Sequence, residues 1–420
     1  MRPRLQRNRL RQPTPPGGRH ESLPAARRYG RTCRAGTSIA ALGGMNLDGG
    51  SAREPGAPAN PATETAAGVG IDAAARADGR HRPLPLAPEA PRHDLIVIGA
   101  SAGGVQTLTP LLAALPADLP AAVFVTLHFS AESRSRLPAV IGRGAALPVD
   151  WAEDEAPIMT GEVRVAPPDE HLLIEPGRMR VVHGPRENRH RPAIDPMFRS
   201  AAWSYGPRVV GVVLSGYLDD GTAGLWAIKS CGGTTVVQDP ADALHPDMPL
   251  SALAHNRIDH QLPMDAIAAL LVRLASEPAG AAMPKPERVK LETDFTVLES
   301  DMADMARLGT LSPFTCPTCR GALWELDEGG HLRYRCHTGH AFSHASLLLE
   351  QGSEIESSIY SALRVVEEKA TALRRLAERW VSRYPTMTAD YETRAREMDQ
   401  TAERLRALLG GEGLRRRSAA

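Results

Sequence analysis

Long apolar runs are missing from this sequence. Its 420 residues contain no stretch of the roughly 18 apolar residues that a membrane-spanning helix requires, so we expect no membrane insertion. The first residues lack the apolar segment of a secretory signal, which favours a cytoplasmic location. Net charge is missing too, because Lys and Arg together number 49 and so do Asp and Glu. This balance excludes a global electrostatic basis for binding nucleic acid.

Cysteine is scarce and unevenly placed. Of the five cysteines, Cys33 and Cys231 stand alone, whereas Cys316, Cys319 and Cys336 form a local group. An odd count with this grouping argues against the disulfide framework of a small secreted domain. It indicates a reducing compartment and a metal site instead.

Residues 1–92 have few aromatic or β-branched residues and are rich in Arg, Pro, Gly and Ala. Such a segment cannot bury enough apolar surface to offset the entropy lost on ordering, so we expect a disordered tail. Its beginning is basic, with ten arginines and one acid, Glu21, before residue 35. Because the arginine density falls just before Met45, that residue is an alternative to Met1 as the true start of the chain.

Apolar runs and amphipathic segments alternate over residues 93–276. Continuous apolar runs suit a parallel sheet that is covered on both faces. Alternating βα units predict an α/β fold with a doubly wound, mainly parallel sheet. The predicted strands are 94–99, 121–128, 162–167, 208–216 and 234–239, and the predicted helices are 105–116, 196–206, 223–233 and 264–276.

A glycine-rich turn, Gly-Ala-Ser-Ala-Gly-Gly, follows the first strand directly and contains Ser101. Such a turn either cradles a phosphate, as in a dinucleotide-binding fold, or holds a nucleophilic serine at a sharp strand-to-helix turn. A dinucleotide site needs a glycine where Ser101 stands and an acidic residue at the end of the next strand, where His128 stands. Both departures disfavour a nucleotide-dependent oxidoreductase and favour the nucleophile.

Three polar positions of complementary chemistry follow separate predicted strands. Ser101 and His128 are about one βα unit apart, and an Asp-Asp-Gly turn with Asp219 and Asp220 follows a later strand. Because the carboxyl ends of parallel strands share one edge of the sheet, we expect these side chains to meet there. A histidine held by a carboxylate can take the proton of an attacking serine. One aspartate of the pair is expected to serve only as a helix N-cap.

Five ordered motifs extend this pattern over residues 94 to about 273. They are VIGASAGG (97–104), the strand-end His128, VAPPDEHLLI (165–174), NRHRPAIDPMF (188–198) and VVLSGYLDDGTAG (212–224). With these motifs the sequence resembles the catalytic domain of the chemotaxis protein-glutamate methylesterases, the CheB type. The order Ser, His, Asp along the chain differs from that of the α/β-hydrolases, which share the sharp serine turn.

The resemblance implies a serine esterase that removes methyl groups from glutamate γ-esters on chemoreceptor helices and releases methanol, for sensory adaptation. Deamidation of receptor glutamines is compatible with it. By position, Ser101 is the nucleophile, His128 the general base and Asp220, which directly precedes the glycine, the orienting carboxylate. No cofactor is implied for catalysis. The implied partners are a methyl-accepting chemoreceptor-type substrate and, with it, a receptor methyltransferase and a kinase array.

The sequence departs from the family pattern at the turn and at its N-terminus. Ala102 stands where the family often has Thr, and Tyr217 stands where it usually has Met, which changes the lining of the pocket. Many members carry an N-terminal receiver domain that is phosphorylated on aspartate in a phosphorelay. Residues 1–92 lack the apolar strands and the acidic cluster of such a domain, so we expect a stand-alone esterase without this control.

The basic run Arg189-His190-Arg191 has two interpretations. It either contacts an acidic receptor surface or forms ion pairs within the domain.

The alternative to an enzyme is a non-catalytic receptor-docking scaffold, in which the C-terminal segments recruit partners to a signalling complex. The complete set of Ser101, His128 and an aspartate argues against this alternative.

The cysteine group continues into a possible metal-ligand set. Cys316, Cys319, Cys336 and His340 have the spacing C-x2-C-x16-C-x3-H. The first pair forms a knuckle and the second pair closes a tetrahedral site, which predicts a structural Zn²⁺ with four protein ligands. His337 is an alternative to His340 as the fourth ligand.

Three segments follow the esterase domain: a linker over 277–312, a zinc-ribbon-like module over 313–345 and an α-helical hairpin over 346–412. The hairpin is predicted from apolar residues at heptad-like spacing, with Lys369 interrupting the first helix. Packing of the two helices against each other is favoured over a role in partner binding. The seam residues are Ile359, Ala362, Val366, Leu373, Leu376 and Trp380, then Tyr391, Ala395, Met398, Ala402, Leu405 and Leu409.

Overall fold

The structure is a computed structural model that describes residues 81–129, 136–328 and 330–410. The predicted tail lies outside the described residues up to position 80, together with Cys33 and Met45. The described end of that tail packs on the esterase domain. Leu84 is buried, and its N–H donates to the Ile158 carbonyl oxygen at 2.8 Å. The tail boundary predicted at residue 92 is therefore too late, because an apolar side chain anchors this segment in the core.

The esterase domain contains a seven-stranded parallel sheet with the strand order β3-β4-β2-β1-β7-β8-β9. Its strands are β1 (Leu95–Ala100), β2 (Ala122–Leu127), β3 (Val149–Trp151), β4 (Val163–Val165), β7 (Val209–Val213), β8 (Thr234–Gln238) and β9 (His260–Leu262). The remaining two strands, β5 (His171–Glu175) and β6 (Arg178–Val182), form a separate antiparallel hairpin. The direction of strand addition reverses between β1 and β7, which is where α/β sheets form their clefts.

Helices cover both faces of this sheet. They are α1 (Gly104–Ala113), α2 (Leu137–Ile141), α3 (Ile194–Tyr205), α4 (Thr222–Ser230), α5 (Asp247–His255) and α6 (Met264–Ser276), with a 3-10 turn at Gly206–Arg208. Alternate residues of a strand point to opposite faces. Leu95 and Val97 accordingly belong to one hydrophobic cluster, and Ile96 and Ile98 to another. The doubly wound α/β fold predicted from the continuous apolar runs is confirmed.

The segment predicted as a linker, 277–312, folds into two short helices. They are α7 (Glu287–Thr296) and α8 (Met302–Leu308). Phe295 and Met305 are buried, so these helices have their own apolar contacts. Glu292 is also buried, because its carboxylate binds the Arg333 guanidinium at 2.9 Å. The cation that pairs with this acid comes from a distant part of the sequence.

A four-stranded antiparallel sheet follows, and we call residues 310–343 the C-terminal module. Its strands pair in chain order: β10 (Thr310–Thr315), β11 (Ala322–Glu328), β12 (His331–Cys336) and β13 (Ala341–Ser343). Leu323, Tyr334 and Phe342 form a small core beside the cysteines. This sheet occupies the place of the predicted zinc-ribbon-like module.

Two long helices end the described chain, α9 (His344–Trp380) and α10 (Pro385–Gly410), and they pack against each other as a hairpin. In α9 the seam differs from the prediction: Ala370 and Ala377 are buried, whereas Leu376 is 39% exposed. Because Ala370 takes the seam position next to Lys369, the lysine does not interrupt the packing. Within the described residues, no helix combines the length and the apolar character that crossing a membrane requires.

Candidate active site

Ser101 lies at the sharp turn between β1 and α1. Gly103 in this turn has a φ of +79°, and a Cβ there would lie 2.9 Å from Ser215 Oγ. A Cβ on Gly104 would lie 2.3 Å from Leu127 Cδ1. Glycine adopts this backbone conformation without strain and leaves room for the neighbouring side chains. The turn therefore holds Ser101 at the carboxyl edge of the sheet, as the glycine-rich motif predicts.

The three predicted catalytic side chains lie within hydrogen-bonding distance of one another. Ala100 pairs with Leu127 in the register of β1 and β2, so Ser101 and His128 are the next residues beyond the sheet edge. His128 Nδ1 lies 3.1 Å from Ser101 Oγ. On the other side of the ring, His128 Nε2 lies 2.7 Å from Asp220 Oδ2. Asp220 comes from the loop after β7, the strand on the other side of β1.

The Asp220 carboxylate is buried and accepts five hydrogen bonds. The donors are His128 Nε2, the side-chain amide of Asn188 and the backbone N–H groups of Ile194, Asp195 and Gly221. Two of these N–H groups belong to the start of α3, where the helix dipole favours a negative charge. Burial alone would raise the pKa of Asp220, but these hydrogen bonds, that of His128 foremost, hold it well below its usual value. The carboxylate therefore stays ionised.

The other aspartate of the turn, Asp219, has a different environment. Its carboxylate accepts a hydrogen bond from Ser343 Oγ of the C-terminal module at 2.7 Å. The N–H of Thr222, at the start of α4, donates to the Asp219 carbonyl oxygen rather than to the side chain. The expectation of a side-chain N-cap is therefore wrong for both aspartates, because the N-cap residue of α4 is Gly221 and no side chain caps the helix.

A second buried carboxyl group, Asp195, lies beside Asp220. It accepts hydrogen bonds from the N–H groups of Gly221 at 3.0 Å and Gly224 at 2.7 Å. Burial and the charge of Asp220 raise the pKa of Asp195 well above its usual value. Two adjacent carboxyl groups thus differ in proton affinity because only one faces the histidine. The sequence motif contains Asp195, but no sequence signal indicated that it lies beside Asp220.

His190 stacks on the ring of His128. The ring centroids are 3.7 Å apart and the planes differ by 7°. Burial, and then the neighbouring His128, lower the pKa of His190 to about 3, so His190 is neutral. The sequence analysis treated His190 as part of a basic run that either meets a receptor surface or forms ion pairs within the domain. The structure places it inside the site instead, because the loop that carries it folds over the sheet edge.

The two arginines of that run form ion pairs within the chain. Arg189 Nε binds Glu350 Oε2 of α9 at 2.7 Å, and Arg191 Nε binds Asp169 Oδ1 at 3.0 Å. Arg191 thus forms an ion pair within the esterase domain, as the second interpretation expects, whereas Arg189 pairs with a residue outside that domain. These ion pairs attach the loop that contains His190 to α9 and to the segment that contains Asp169.

Backbone N–H groups next to Ser101 are candidates for stabilising an oxyanion. The N–H groups of Ala102, Gly103 and Tyr217 have no hydrogen-bond partner among the residues that the structure describes. The loop containing Tyr217 lies against the serine, since a Cβ on Gly216 would be 2.7 Å from Ser101 Cβ. The Tyr217 ring is half exposed and lies against the ring of His245, with the centroids 4.4 Å apart.

The predicted metal ligands form a compact group in the C-terminal module. The ligand atoms of Cys316, Cys319, Cys336 and His340 all lie within 4.8 Å of one another. Three thiols and one imidazole at this spacing suit tetrahedral Zn²⁺. His337, the alternative fourth ligand, is exposed and lies outside the group. In the described part of the chain, this is the one group of its kind.

Comparison with known proteins identifies the family of the esterase domain. Residues 96–271 match the family model of the CheB methylesterase. A putative protein-glutamate methylesterase/protein-glutamine glutaminase of Leptospira interrogans is 37% identical over 183 residues, which are 43% of this chain and 95% of that relative. This chain belongs to the CheB methylesterase family. The resemblance inferred from the motifs is confirmed, and the family match ends before the C-terminal module.

Other CheB methylesterase relatives are longer than the shared region. Protein-glutamate methylesterase/protein-glutamine glutaminase 4 of Anaeromyxobacter dehalogenans is 36% identical over 220 residues, 49% of this chain and 62% of the relative. The corresponding protein 1 of Xanthomonas euvesicatoria is 38% identical over 187 residues, 44% of this chain and 52% of the relative. This chain thus spans between half and two thirds of their length. The crystal structure of the Thermotoga maritima CheB methylesterase catalytic domain is 30% identical, with a TM-score of 0.42, and covers 43% of this chain and 98% of that one.

Proposed function

We propose that this chain is a serine esterase that hydrolyses glutamate γ-methyl esters on a chemoreceptor-type protein and releases methanol. The observation that supports this proposal most strongly is the line of hydrogen-bonding distances from Ser101 Oγ through His128 to Asp220. Deamidation of glutamine in the same substrate is a second reaction of this site, since the printed names of the relatives include both activities.

The first half of the reaction is an attack by Ser101 on the ester carbonyl carbon. His128 Nδ1 accepts the hydroxyl proton, while Nε2–H donates to Asp220 and so holds the neutral tautomer that can act as a base. The ionised Asp220 then stabilises the imidazolium that forms. The unpaired N–H groups of Ala102, Gly103 and Tyr217 are the proposed donors to the oxyanion; one such donor is worth about 3 kcal/mol in other serine hydrolases.

The second half releases the alcohol and restores the serine. The imidazolium of His128 gives its proton to the leaving methoxide, and methanol departs from the acyl-enzyme. Water, activated by the same histidine, then hydrolyses the acyl group and frees the glutamate side chain. With glutamine as the substrate, ammonia leaves in place of methanol.

His190 contributes to the orientation of the catalytic base. A neutral ring that stacks flat on His128 restricts its rotation without adding a second positive charge. The ring of His128 is thus held between two partners in its plane, Ser101 and Asp220, and one partner on its face. This arrangement supports an enzyme and gives no support to a non-catalytic scaffold.

The C-terminal module holds one structural Zn²⁺ in this proposal. Cys316, Cys319, Cys336 and His340 would be its ligands, and four protein ligands leave no position for a substrate. The metal would therefore stabilise the module and take no part in ester hydrolysis. The proposed partners are the methylated receptor, its methyltransferase and the associated kinase array, and the proposed place of action is the cytoplasm.

A methanol-release assay tests the proposed function. The full chain is incubated with a chemoreceptor cytoplasmic fragment that a receptor methyltransferase has labelled with isotopic methyl groups. We expect labelled methanol to appear with the wild-type chain, and receptor glutamine to become glutamate in parallel mass spectra. A blank contains the Ser101→Ala variant in place of the wild-type chain. Release of labelled methanol by the wild-type chain no faster than in this blank would contradict the proposal.

A further inference from the structure

The C-terminal module lies directly against the loop that supports the catalytic aspartate. The backbone N–H of Ser343 donates to Asn188 Oδ1 at 2.9 Å. In return, the backbone N–H of Asn188 donates to the Ala341 carbonyl oxygen at 2.8 Å. Ser343 Oγ also donates to Asp219, the neighbour of Asp220. The edge strand of the module is therefore attached to both loops that surround the acidic end of the triad.

Asn188 connects this strand to the triad through the two ends of its amide group. Its Nδ2 donates to Asp220 Oδ1 at 3.0 Å and to Asp195 Oδ2 at 2.9 Å. An amide can turn over and exchange its oxygen and nitrogen. A backbone N–H can only donate, so the Ser343 N–H requires the amide oxygen on its side and leaves the NH2 group for the two carboxylates. The reversed amide would place a carbonyl oxygen against the charged Asp220.

A buried ion cluster holds the module in this position. It consists of three acids and three arginines, namely Glu187, Glu292, Glu328, Arg199, Arg333 and Arg335. Glu187, the residue before Asn188, binds Arg199 of α3 at 2.8 Å and Arg335 of the module at 3.0 Å. Removing one partner of such a buried pair leaves an uncompensated charge, which is strongly unfavourable. The module is therefore fixed to the esterase domain and is not a tethered adaptor.

We propose that the C-terminal module contributes to catalysis by the esterase domain. The Ser343 N–H orients the side chain of Asn188, and Asn188 is a positioning residue for Asp220. This inference rests on the proposed function. Neither residue lies on the serine side of His128, so their effect is on stabilisation of the imidazolium and not on substrate binding. Loss of the Ser343 N–H should lower kcat and leave KM nearly unchanged.

Ser343→Pro removes this N–H from the backbone. Ser343 has a φ of −72°, which proline adopts, and the preceding Phe342 is extended, as a residue before proline prefers. Ser343→Ala is the reference variant, because it also lacks the hydroxyl but keeps the N–H. Relative to Ser343→Ala, we expect Ser343→Pro to lower kcat by about tenfold to a hundredfold, because an Asn188 side chain without its Ser343 partner loses its hydrogen bond to the charged Asp220.

Asn188→Ala tests the same link without changing the module. We expect a similar fall in kcat at nearly constant KM, and a double variant with Ser343→Pro that is no slower than Asn188→Ala alone. Metal content and the melting temperature are measured for each variant to establish that the module is folded. If Ser343→Pro fails to fold, Asn188→Ala alone decides the question.

The outcomes separate this inference from the proposed function. A wild-type chain that releases no methanol and does not react with a fluorophosphonate overturns both. An active wild type with an Asn188→Ala variant that keeps full kcat overturns the positioning role alone. Equal kcat values for Ser343→Pro and Ser343→Ala, with both proteins folded, do the same. A rise in KM at constant kcat would place these residues in substrate binding and also contradict the inference.

Discussion

Asp220→Asn is expected to lower kcat by about 10⁴ with little change in KM, as in other serine hydrolases whose triad aspartate becomes an amide. The Oδ1 atom of Asp220 accepts three hydrogen bonds, and Oδ2 accepts those of His128 and the Ile194 N–H. In an asparagine at this position, the amide oxygen can keep the three hydrogen bonds of Oδ1 if the NH2 group takes the place of Oδ2. This orientation therefore preserves more hydrogen bonds than the reverse one. That NH2 group would donate to His128 Nε2, which forces the ring proton onto Nδ1. The nitrogen that faces Ser101 then has no lone pair for the hydroxyl proton.

Asp219→Asn is the matched control for this change. It alters the same charge one residue away, and an asparagine at this position can still accept the hydrogen bond from Ser343 Oγ. We expect its kcat to stay within about threefold of wild type, because the hydrogen bond from Ser343 Oγ is kept and His128 has its hydrogen bond with Asp220. Steady-state methanol release measures both variants. Equal losses in the two variants would contradict the assignment of Asp220 as the partner of His128.

Cys316→Ser is expected to reduce bound zinc from about one ion per chain to a small fraction of that value and to lower the melting temperature. The module has a small apolar core, so metal binding supplies much of the free energy that keeps it folded. In small zinc domains this contribution is about 10–16 kcal/mol. Elemental analysis and thermal unfolding of carefully purified protein measure the two effects.

A pair of histidine variants gives this prediction a matched control. His340 lies with the three thiols, whereas His337 is exposed and lies outside the group. We expect His340→Ala to lose zinc and His337→Ala to retain it. Wild-type protein without zinc, or equal retention in the two variants, would contradict the proposed ligand set.

The sheet and two members of the triad could be predicted from the sequence for simple physical reasons. Strands that are buried on both faces are apolar throughout, which makes them visible as continuous runs. Parallel register then places the residues after neighbouring strands side by side, and the pairing of Ala100 with Leu127 does this for Ser101 and His128. The choice of Asp220 over Asp219 came from the family motif, because the two residues are chemically alike in sequence.

The groups around the triad were not predictable because they depend on contacts between distant segments. Asn188 and Asp195 come from one loop and reach Asp220 from another. His190 reads as part of a basic run until the loop is seen to fold over His128. The sequence gives the identity of each of these residues but does not show which residue each one contacts in the folded chain.

The same reason explains the misjudged linker. Its composition is typical of a linker, yet Glu292 is buried between arginines of β12, about 40 residues later. Only the folded chain shows that these charges compensate one another. The segment 277–312 is thus part of the junction between the esterase domain and the C-terminal module.

Reaction with a fluorophosphonate, followed by mass spectrometry of the peptides, tests directly whether Ser101 is an activated nucleophile. The reagent needs an activated serine but no receptor, so it separates the chemistry of the site from the identity of the substrate. We predict an adduct on the peptide that contains Ser101, and none in Ser101→Ala. A wild-type chain that is not labelled, or labelling that is undiminished in Ser101→Ala, would contradict the account.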